Sequence, residues 1–282
     1  MPDMETDIED FLISLRRFYE ESGRHDMLWR QPESDGSLDP YKILVSELML
    51  QQTQVVRVAP KFVAFTERFP TVQAMAAASL GDVLGLWSGL GYNRRAKFLW
   101  QAAAAITTDF DGHFPTTTEE LQKLPGVGPN TAGAIIAYAY NQPAVYLETN
   151  IRTVLIHHFF KDELAIADKA LRAILRQIVE QLRPNDSQMS PREFYWAMMD
   201  YGAHLKQTVG NLNRASSSFV KQSTFHGSRR QVRGQVIRLL TERKYDIDEL
   251  VKTLSDERAV SVIDDLVSEG LLQKRGQMLS LQ

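Results

Sequence analysis

The chain contains no cysteine against nine methionines. That excludes disulfides, thiolate zinc sites, a cysteine nucleophile and an iron–sulfur cluster held by four thiolates. No stretch approaches about 18 uncharged apolar residues, the length that spans a bilayer. The opening MPDMETDIEDF is acidic and lacks the basic start and apolar core of a signal peptide. A soluble cytoplasmic protein is expected. There is no general excess of bases either, since 32 Lys and Arg against 35 Asp and Glu leave a formal net charge of -3. Evenly spread, that balance would argue against a nucleic-acid partner. Residues 1–36 carry 10 acids and 4 bases, however, whereas residues 206–244 carry 9 bases and 1 acid. The average hides a basic stripe.

What the chain does have is helical spacing. With 282 residues, 44% of them hydrophobic and 24% charged, it can bury one large core or two modest ones, and two compact units are expected. Apolar residues recur at helical intervals in IEDFLISLRRFYEE, YKILVSELMLQQ, FVAFTERF, VQAMAAASLGDVLGLW, RRAKFLWQAAAAI, TAGAIIAYAY, NIRTVLIHHFF, KALRAILRQIVEQL and REFYWAMMDYGAHL. Helix starts are marked by Asp39 with Pro40, by Thr116 to Thr118 before Glu119 and Glu120, and by Asp168. No convincing alternating strands occur before residue 270. An all-α body of roughly nine or ten helices is predicted.

The periodicity fails over residues 207–228, where QTVGNLNRASSSFVKQSTFHGS is rich in turn-forming and solvated types. The remainder reads helix, helix, helix, then LLQKRGQMLSLQ as two short strands about an Arg-Gly turn, which is winged-helix order. The expected organisation is a body at 1–206, a basic linker at 207–228 and a small winged-helix-like domain at 229–282. The last 38 residues carry 8 acids and 4 bases. Only the Arg-rich leading edge of that domain is expected to meet phosphate, and the acidic remainder to pack on the body or meet a protein partner.

LPGVGPNTAGAI, residues 124–135, is the most specific local signal. A Gly-Val-Gly turn before a small-residue helix start lets the backbone approach another molecule closely and aims amide donors outward, which suits a phosphate. An ordinary tight turn between helices is the alternative for Gly126, Val127 and Gly128 alone. The full string resembles the helix-hairpin-helix of DNA-repair glycosylases, here at about 119–138, which grips a DNA backbone without reading bases. DPYKILVSELMLQQTQV, LWSGLGYNRRAKFL, the hairpin, LETNIRTVL and FYWAMMDYGA then resemble, in order and spacing, successive motifs of the adenine DNA glycosylase (MutY) family over about residues 25–205. GSRRQVRG and the winged helix resemble the tail of some actinobacterial members.

The resemblance implies a two-lobed helix-hairpin-helix body and a set of site residues. Glu47 matches the glutamate that protonates the target purine. Glu148 stands where the family has an aspartate that stabilises the cationic sugar, one methylene further from the backbone. Glycosidic cleavage needs both, because a protonated base leaves faster and an oxocarbenium-like sugar needs a nearby anion. Asp200 matches a family position read as structural. Asn130 occupies the place of the lysine that forms a Schiff base in bifunctional relatives; an amide cannot do this, so base removal without strand cleavage is expected. Lys123 and Lys161 would substitute only if the fold brought them to the site.

Flipping a base out of a duplex costs a few kcal/mol and is helped by side chains that fill the gap. By resemblance Gln51, Gln52 and Thr53 form the wedge, with Tyr92 and Asn93 on the opposite side, where the family more often has two tyrosines. Thr131 joins Gly126, Val127, Gly128 and Asn130 among the hairpin's DNA contacts. Arg94, Arg95 and Lys97, and Arg152, are candidates for phosphate, against the plain reading of solvated helix faces. Arg229, Arg230 and Arg233 are favoured by clustering in the basic stripe. Main-chain carbonyls of Gln122, Leu124 and Val127 would hold a monovalent cation, Na or K. Adjacent His157 and His158 point about 100° apart on a helix and cannot share a metal; they and His204 are read as packing residues, as are Leu50 and Trp87.

Most relatives carry four cysteines just after the AMMDYGA segment, ligating a [4Fe–4S] cluster. Here HLKQTVGNLNRASSSFVKQSTF holds none, so no cofactor is expected to be required. The segment is stabilised by polar contacts or orders only on DNA, and its basic charge suits the second. The C-terminal domain with which relatives often recognise 8-oxoguanine is expected to be missing as well. The resulting expectation is a monofunctional, nucleoid-associated glycosylase, monomeric, acting on double-stranded DNA at an adenine opposite 8-oxoguanine or guanine. The alternatives are the same fold excising another damaged or deaminated base, and a noncatalytic DNA-damage-binding protein.

Overall fold

The computed structural model describes residues 4–161, 163–184, 189–220 and 224–282. From the N-terminus the elements are α1 (Met4–Ser22), a 3-10 turn (Leu28–Arg30), α2 (Pro40–Leu50), α3 (Val55–Arg68), α4 (Val72–Ala76), α5 (Leu80–Trp87) and α6 (Arg94–Asp109). There follow α7 (Thr118–Leu121), α8 (Pro129–Tyr138), α9 (Thr149–Phe159), α10 (Asp168–Val179), α11 (Pro191–Thr208) and a 3-10 turn (Leu212–Ala215). The tail is α12 (Arg229–Glu242), β1 (Tyr245–Asp246), α13 (Ile247–Leu254), α14 (Ala259–Ser268), β2 (Leu272–Arg275) and β3 (Met278–Leu281). Among the described residues no helix is long and apolar enough to cross a membrane.

Caps set the boundaries where periodicity alone does not. The run VQAMAAASLGDVLGLW, read as one helix, is two, because the Ser79 hydroxyl accepts the Asp82 amide at 3.1 Å and starts α5 afresh. Thr117 caps α7 through the Glu120 amide at 3.3 Å. Ser190 opens α11 with a full capping box, its backbone amide donating to the Glu193 carboxylate at 3.0 Å. Strand β1 was not legible: two residues are too few for a period. It makes the sheet three-stranded and antiparallel, in the order β1-β3-β2, with Tyr245 opposite Leu279 and Lys274 opposite Leu279 on the other side.

Two compact units emerge, neither continuous in sequence. The first comprises Met1–Ile43, Thr116–Gln122 and Val127–Lys221; the second comprises Leu44–Pro115, Lys123–Gly126 and Gln222–Gln282. This division runs differently from the linear boundaries read off the composition, and α2 passes from one unit into the other. In the first unit α11 lies against α9, α1 and α8, burying Phe194, Tyr195, Ile151 and Leu155. Gly202 of α11 rests on the main chain of Asn150, and Gly133 of α8 on the Tyr146 ring, so a β-carbon at either place would collide. Burying apolar side chains of this size contributes about 1.5–3 kcal/mol each.

In the second unit α4 and α5 pack on α6 around Phe65, Phe69, Trp87, Leu99 and Ile106. The tail has the helix–strand–helix–helix–strand–strand order of a winged helix about Val236, Leu240, Leu250, Leu266 and Leu279. It is no free appendage: α12 and β3 lie on α5, and the Lys97 ammonium of α6 donates to the Glu269 carbonyl after α14.

Candidate active site

Helix α2 is apolar on almost every side, with Tyr41, Ile43, Leu44, Val45, Leu48 and Met49 buried, and Ser46 buried among them. Glu47 is the one carboxylate in that helix and is half-buried. Placing an ionisable group in such a segment costs stability unless it is partnered. The helix ends at Leu50, and Gln51 and Gln52 are exposed directly beyond it.

Gln52 and Tyr92 are two of the four described non-glycine residues of this unit, with Asp111 and Ser255, that share an uncommon backbone. Gln52 has φ 55° and Tyr92 has φ 50°, a conformation that costs energy and collects at functional sites. Both line one cavity of roughly 360 Å³, together with Gln51, Asn93, Arg94, Arg95 and Arg230. The loop after α2, the GLGY loop and the basic tail helix, separate in sequence, are thus brought together. Tyr92 is 39% exposed. Two guanidinium groups lie near its ring, with the Arg95 carbon 5.4 Å and the Arg230 carbon 5.5 Å from the ring centre.

Arg95 is a correction to the sequence reading. Expected at a phosphate, it is only 7% exposed and donates to the carbonyls of Leu48 at 2.6 Å, Gln51 at 2.6 Å and Gly91 at 3.1 Å, and to the Thr53 hydroxyl at 3.2 Å. The reason is the C-terminus of α2, whose last carbonyls have no partner within the helix. Arg95 satisfies them and ties the Gln51–Thr53 loop to the GLGY loop. Arg57, which the sequence did not single out, does a related job by donating to the Gly89 carbonyl; an arginine on a helix face carries no signal of its target.

The hairpin begins with α7 and turns at Gly126, whose φ of +77° favours glycine. A β-carbon there would also strike Phe98. Gly128 is the N-cap of α8 and Pro129 its first residue. The side chains of Leu124 and Val127 are buried. Thr131 is a second correction: it is buried in α8 rather than offered to a ligand.

Asn130 does not face outward as a contact residue alone. Its amide nitrogen donates to the Leu147 carbonyl at 3.0 Å, and its amide oxygen accepts from the Leu147 nitrogen at 3.3 Å. Tyr146, stacked on Tyr195 at 4.3 Å, fixes the preceding residue. Glu148 follows as the N-cap of α9, yet its side chain makes no capping hydrogen bond. Asn150, in the first turn of α9, donates to the Met199 carbonyl at 3.2 Å. Loss of water around Glu148 raises its pKa above the ordinary carboxylate range. Glu148 stands in the first unit and Glu47 in the second.

The remaining cations are largely spoken for. Arg152, expected at a phosphate, pairs with Asp168 at 2.9 Å and is 15% exposed, because the two lie on adjoining helices α9 and α10. Arg229 is taken up by Asp265 at 2.5 Å and Arg233 by Glu269 at 2.5 Å, both carboxylates of the acidic part of the tail. Arg94 is exposed above Phe98 at 5.7 Å. Asp200 is buried and receives Arg30 at 2.8 and 2.9 Å. His158 packs beside Phe11 at 5.0 Å, its nitrogen 3.2 Å from the Tyr201 hydroxyl.

Over its described part the segment lacking cysteines makes polar contacts with the rest of the chain, the first of the two expectations. Asn213 donates to the Thr153 hydroxyl at 2.6 Å, and the Ile166 amide bonds the Ala215 carbonyl at 2.9 Å. The Ser217 amide bonds Ile166 in return at 3.0 Å, and the Ser218 hydroxyl donates to Asp168 at 2.9 Å. These local and backbone bonds, invisible to hydrophobic periodicity, tie residues 213–218 to α9 and the start of α10. Residues 221–223 lie outside the described residues.

A family profile described as HhH-GPD superfamily base excision DNA repair protein matches residues 45–181. The chain is 31% identical over 284 residues to the adenine DNA glycosylase of Mycolicibacterium smegmatis, covering 93% of this chain and 92% of that one. It is 35% identical over 193 residues to the adenine DNA glycosylase of Buchnera aphidicola subsp. Baizongia pistaciae, covering 68% of this chain and 52% of that one, so it spans about half that relative's length. A solved thermostable thymine-DNA glycosylase shares the fold, with a TM-score of 0.60 at 21% identity over 71% of this chain and 87% of the other. On the near-full-length mycobacterial match, the chain belongs to the adenine DNA glycosylase family, within the HhH-GPD superfamily.

Proposed function

We propose that this protein is a monofunctional DNA glycosylase that removes adenine mispaired with 8-oxoguanine or guanine in double-stranded DNA. Glu47 delivers the proton that makes the purine a better leaving group. As the glycosidic bond breaks, its electron pair departs with the base, and Glu148 stands as the anion facing the oxocarbenium-like sugar. Water then adds to the sugar carbon, and the proton it sheds passes to a carboxylate. General acid assistance of this kind is worth roughly 10² to 10⁴ in rate.

The observation that carries the reading is the two-way bond between Asn130 and the Leu147 main chain, which places Glu148 at the head of α9. The same bond engages both polar atoms of the side chain that replaces a Schiff-base lysine. Asn130 therefore positions the carboxylate and supplies no nucleophile. A cluster held by four thiolates is excluded because the chain has no cysteine, and a Na or K ion on the carbonyls of Gln122, Leu124 and Val127 would serve to hold the hairpin on the DNA backbone.

The test incubates the purified protein with duplexes carrying adenine opposite 8-oxoguanine or guanine, and with uracil and hypoxanthine mispairs. Strand cleavage at adenine that appears only after alkali is the expected result. Cleavage without alkali, together with a borohydride-trapped adduct, would show a lyase and overturn the monofunctional part. Product at another base alone would overturn the substrate.

A further inference from the structure

The acidic part of the tail finds its partners inside the second unit. Helix α12 carries Arg229 and Arg233 four residues apart, and α14 carries Ser261 and Asp265 with Glu269 directly after it, again four apart, so each set lines one helix face. The two faces meet in register. Arg229 donates to the Ser261 hydroxyl and carbonyl, both at 2.9 Å, and pairs with Asp265 at 2.5 Å. Arg233 grips both oxygens of Glu269, at 3.0 and 2.5 Å, and lies 4.0 Å from Asp265. Glu269 also reaches α6, where its carboxylate stands 4.0 Å from Arg94 and its main-chain carbonyl accepts from the Lys97 ammonium. Arg94, Lys97, Arg229 and Arg233 are cations that the sequence offers to phosphate, and the end of α14 meets all four.

We infer that Asp265 and Glu269 stand in for DNA phosphates, so that the winged-helix module masks these cations and holds down binding to undamaged duplex. The inference rests on the glycosylase reading above, which brings a duplex to this chain. A carboxylate offers a guanidinium the same forked pair of acceptors as a phosphate. The exposure of the pairs decides which anion wins. Arg229 and Asp265 are 42% and 46% exposed, where water screens an ion pair and leaves it weak. A run of phosphates gains in addition from the counterions released when cations bind it, so a duplex displaces Asp265. Arg233 and Glu269, bonded through two oxygens and 20% and 24% exposed, are the firmer pair and open last. The seam between α12 and α14 is already apolar, with Val232, Val236, Val262 and Leu266 buried, so the exposed pair is not what holds it shut.

The test uses the full chain and a fully paired duplex, with binding read by fluorescence anisotropy over a range of salt. D265N and E269Q bind more tightly than wild type, on the order of 3-fold at low salt for each freed arginine, and log Kd against log salt steepens by about 0.9 for each. R229Q removes the gain of D265N. Asp264, exposed on the same helix and outside these pairs, supplies the control: D264N takes away the same charge, frees no arginine and leaves the slope as it was. Thermal midpoints identify a variant that fails to fold, and the other then decides; failure of both would make the pairs a structural clasp and overturn the inference. Equal gains in D264N and D265N would reduce the effect to net charge, and unchanged or weaker binding by folded D265N would remove the mask. Excision of adenine opposite 8-oxoguanine is measured alongside. Tighter binding by D265N with no excision leaves the mask standing and sinks the glycosylase reading, whereas no duplex binding by any form sinks both.

Discussion

Asn130 holds Leu147 by both of its main-chain polar groups, at 3.0 and 3.3 Å, and so sets the position of the carboxylate one residue further on. Removing the amide in N130A leaves a part-buried donor and acceptor to find other partners, a cost of about 1–3 kcal/mol. The larger effect falls on chemistry, because a displacement of about 1 Å at a reacting group costs on the order of 10²-fold. Stopped single-turnover excision should show the loss in the rate constant, with little change in binding to uncleaved duplex.

Glu47→Gln keeps the shape of α2 and removes the proton donor. Excision should fall by at least about 10²-fold, while anisotropy with a mispaired duplex stays near wild type. Lost binding together with lost product would assign Glu47 to the fold instead.

Burial raises the pKa of Glu148 above the ordinary carboxylate range, and the sign of the consequence is fixed by linkage. At low pH the group is neutral in both states. As pH rises through the unfolded value and then the raised folded value, the unfolded state ionises first and stability is lost. Glu148→Gln removes that loss, so its melting temperature should exceed wild type at neutral pH and converge with it in acid. Its excision activity should vanish, a trade expected of a residue kept for function. Equal melting temperatures across pH would place Glu148 in water.

Asp200 behaves in the opposite sense. Burial pushes its pKa up, but hydrogen bonds and charge from Arg30, with Arg24, outweigh it and hold the carboxyl below its usual range. The pair's contribution is present above the ordinary carboxylate range and is lost as pH falls through the lowered folded value. Asp200→Asn leaves the Arg30 charge buried, which costs about 3–5 kcal/mol, and urea unfolding at neutral pH should read it.

Residues 213–218, tied to α9 and the start of α10 by Asn213 and the serine bonds, should resist limited proteolysis without DNA. Asn213→Ala removes a buried hydrogen bond worth about 0.5–1.5 kcal/mol and should make the segment cleavable. Protection of the wild-type segment only in the presence of duplex would contradict the contacts seen here.

Much of this was written in the sequence by itself. Helical spacing set the elements, since each buried stripe repeats with the helix period, and the Gly-Val-Gly turn announced itself because Gly126 needs a positive φ that few residues adopt. Glu47, Asn130 and Glu148 stood out as candidates through their motif strings. What Asn130 does was not legible: an amide next to a hairpin looks the same whether it faces a sugar or a neighbouring carbonyl.

The tertiary structure alone decided where the arginines go. Arg95, Arg152, Arg229 and Arg230 all read as exposed cations, yet one closes a helix end, two meet carboxylates and one meets a tyrosine. A guanidinium on a long flexible stem has no periodicity to betray its direction, and its partner is chosen by which carbonyl, carboxylate or ring the packed helices bring within reach. The same holds for the interleaved units and for the winged helix against α5. Local patterns specify which surface of a helix is buried; only the closed fold specifies against what.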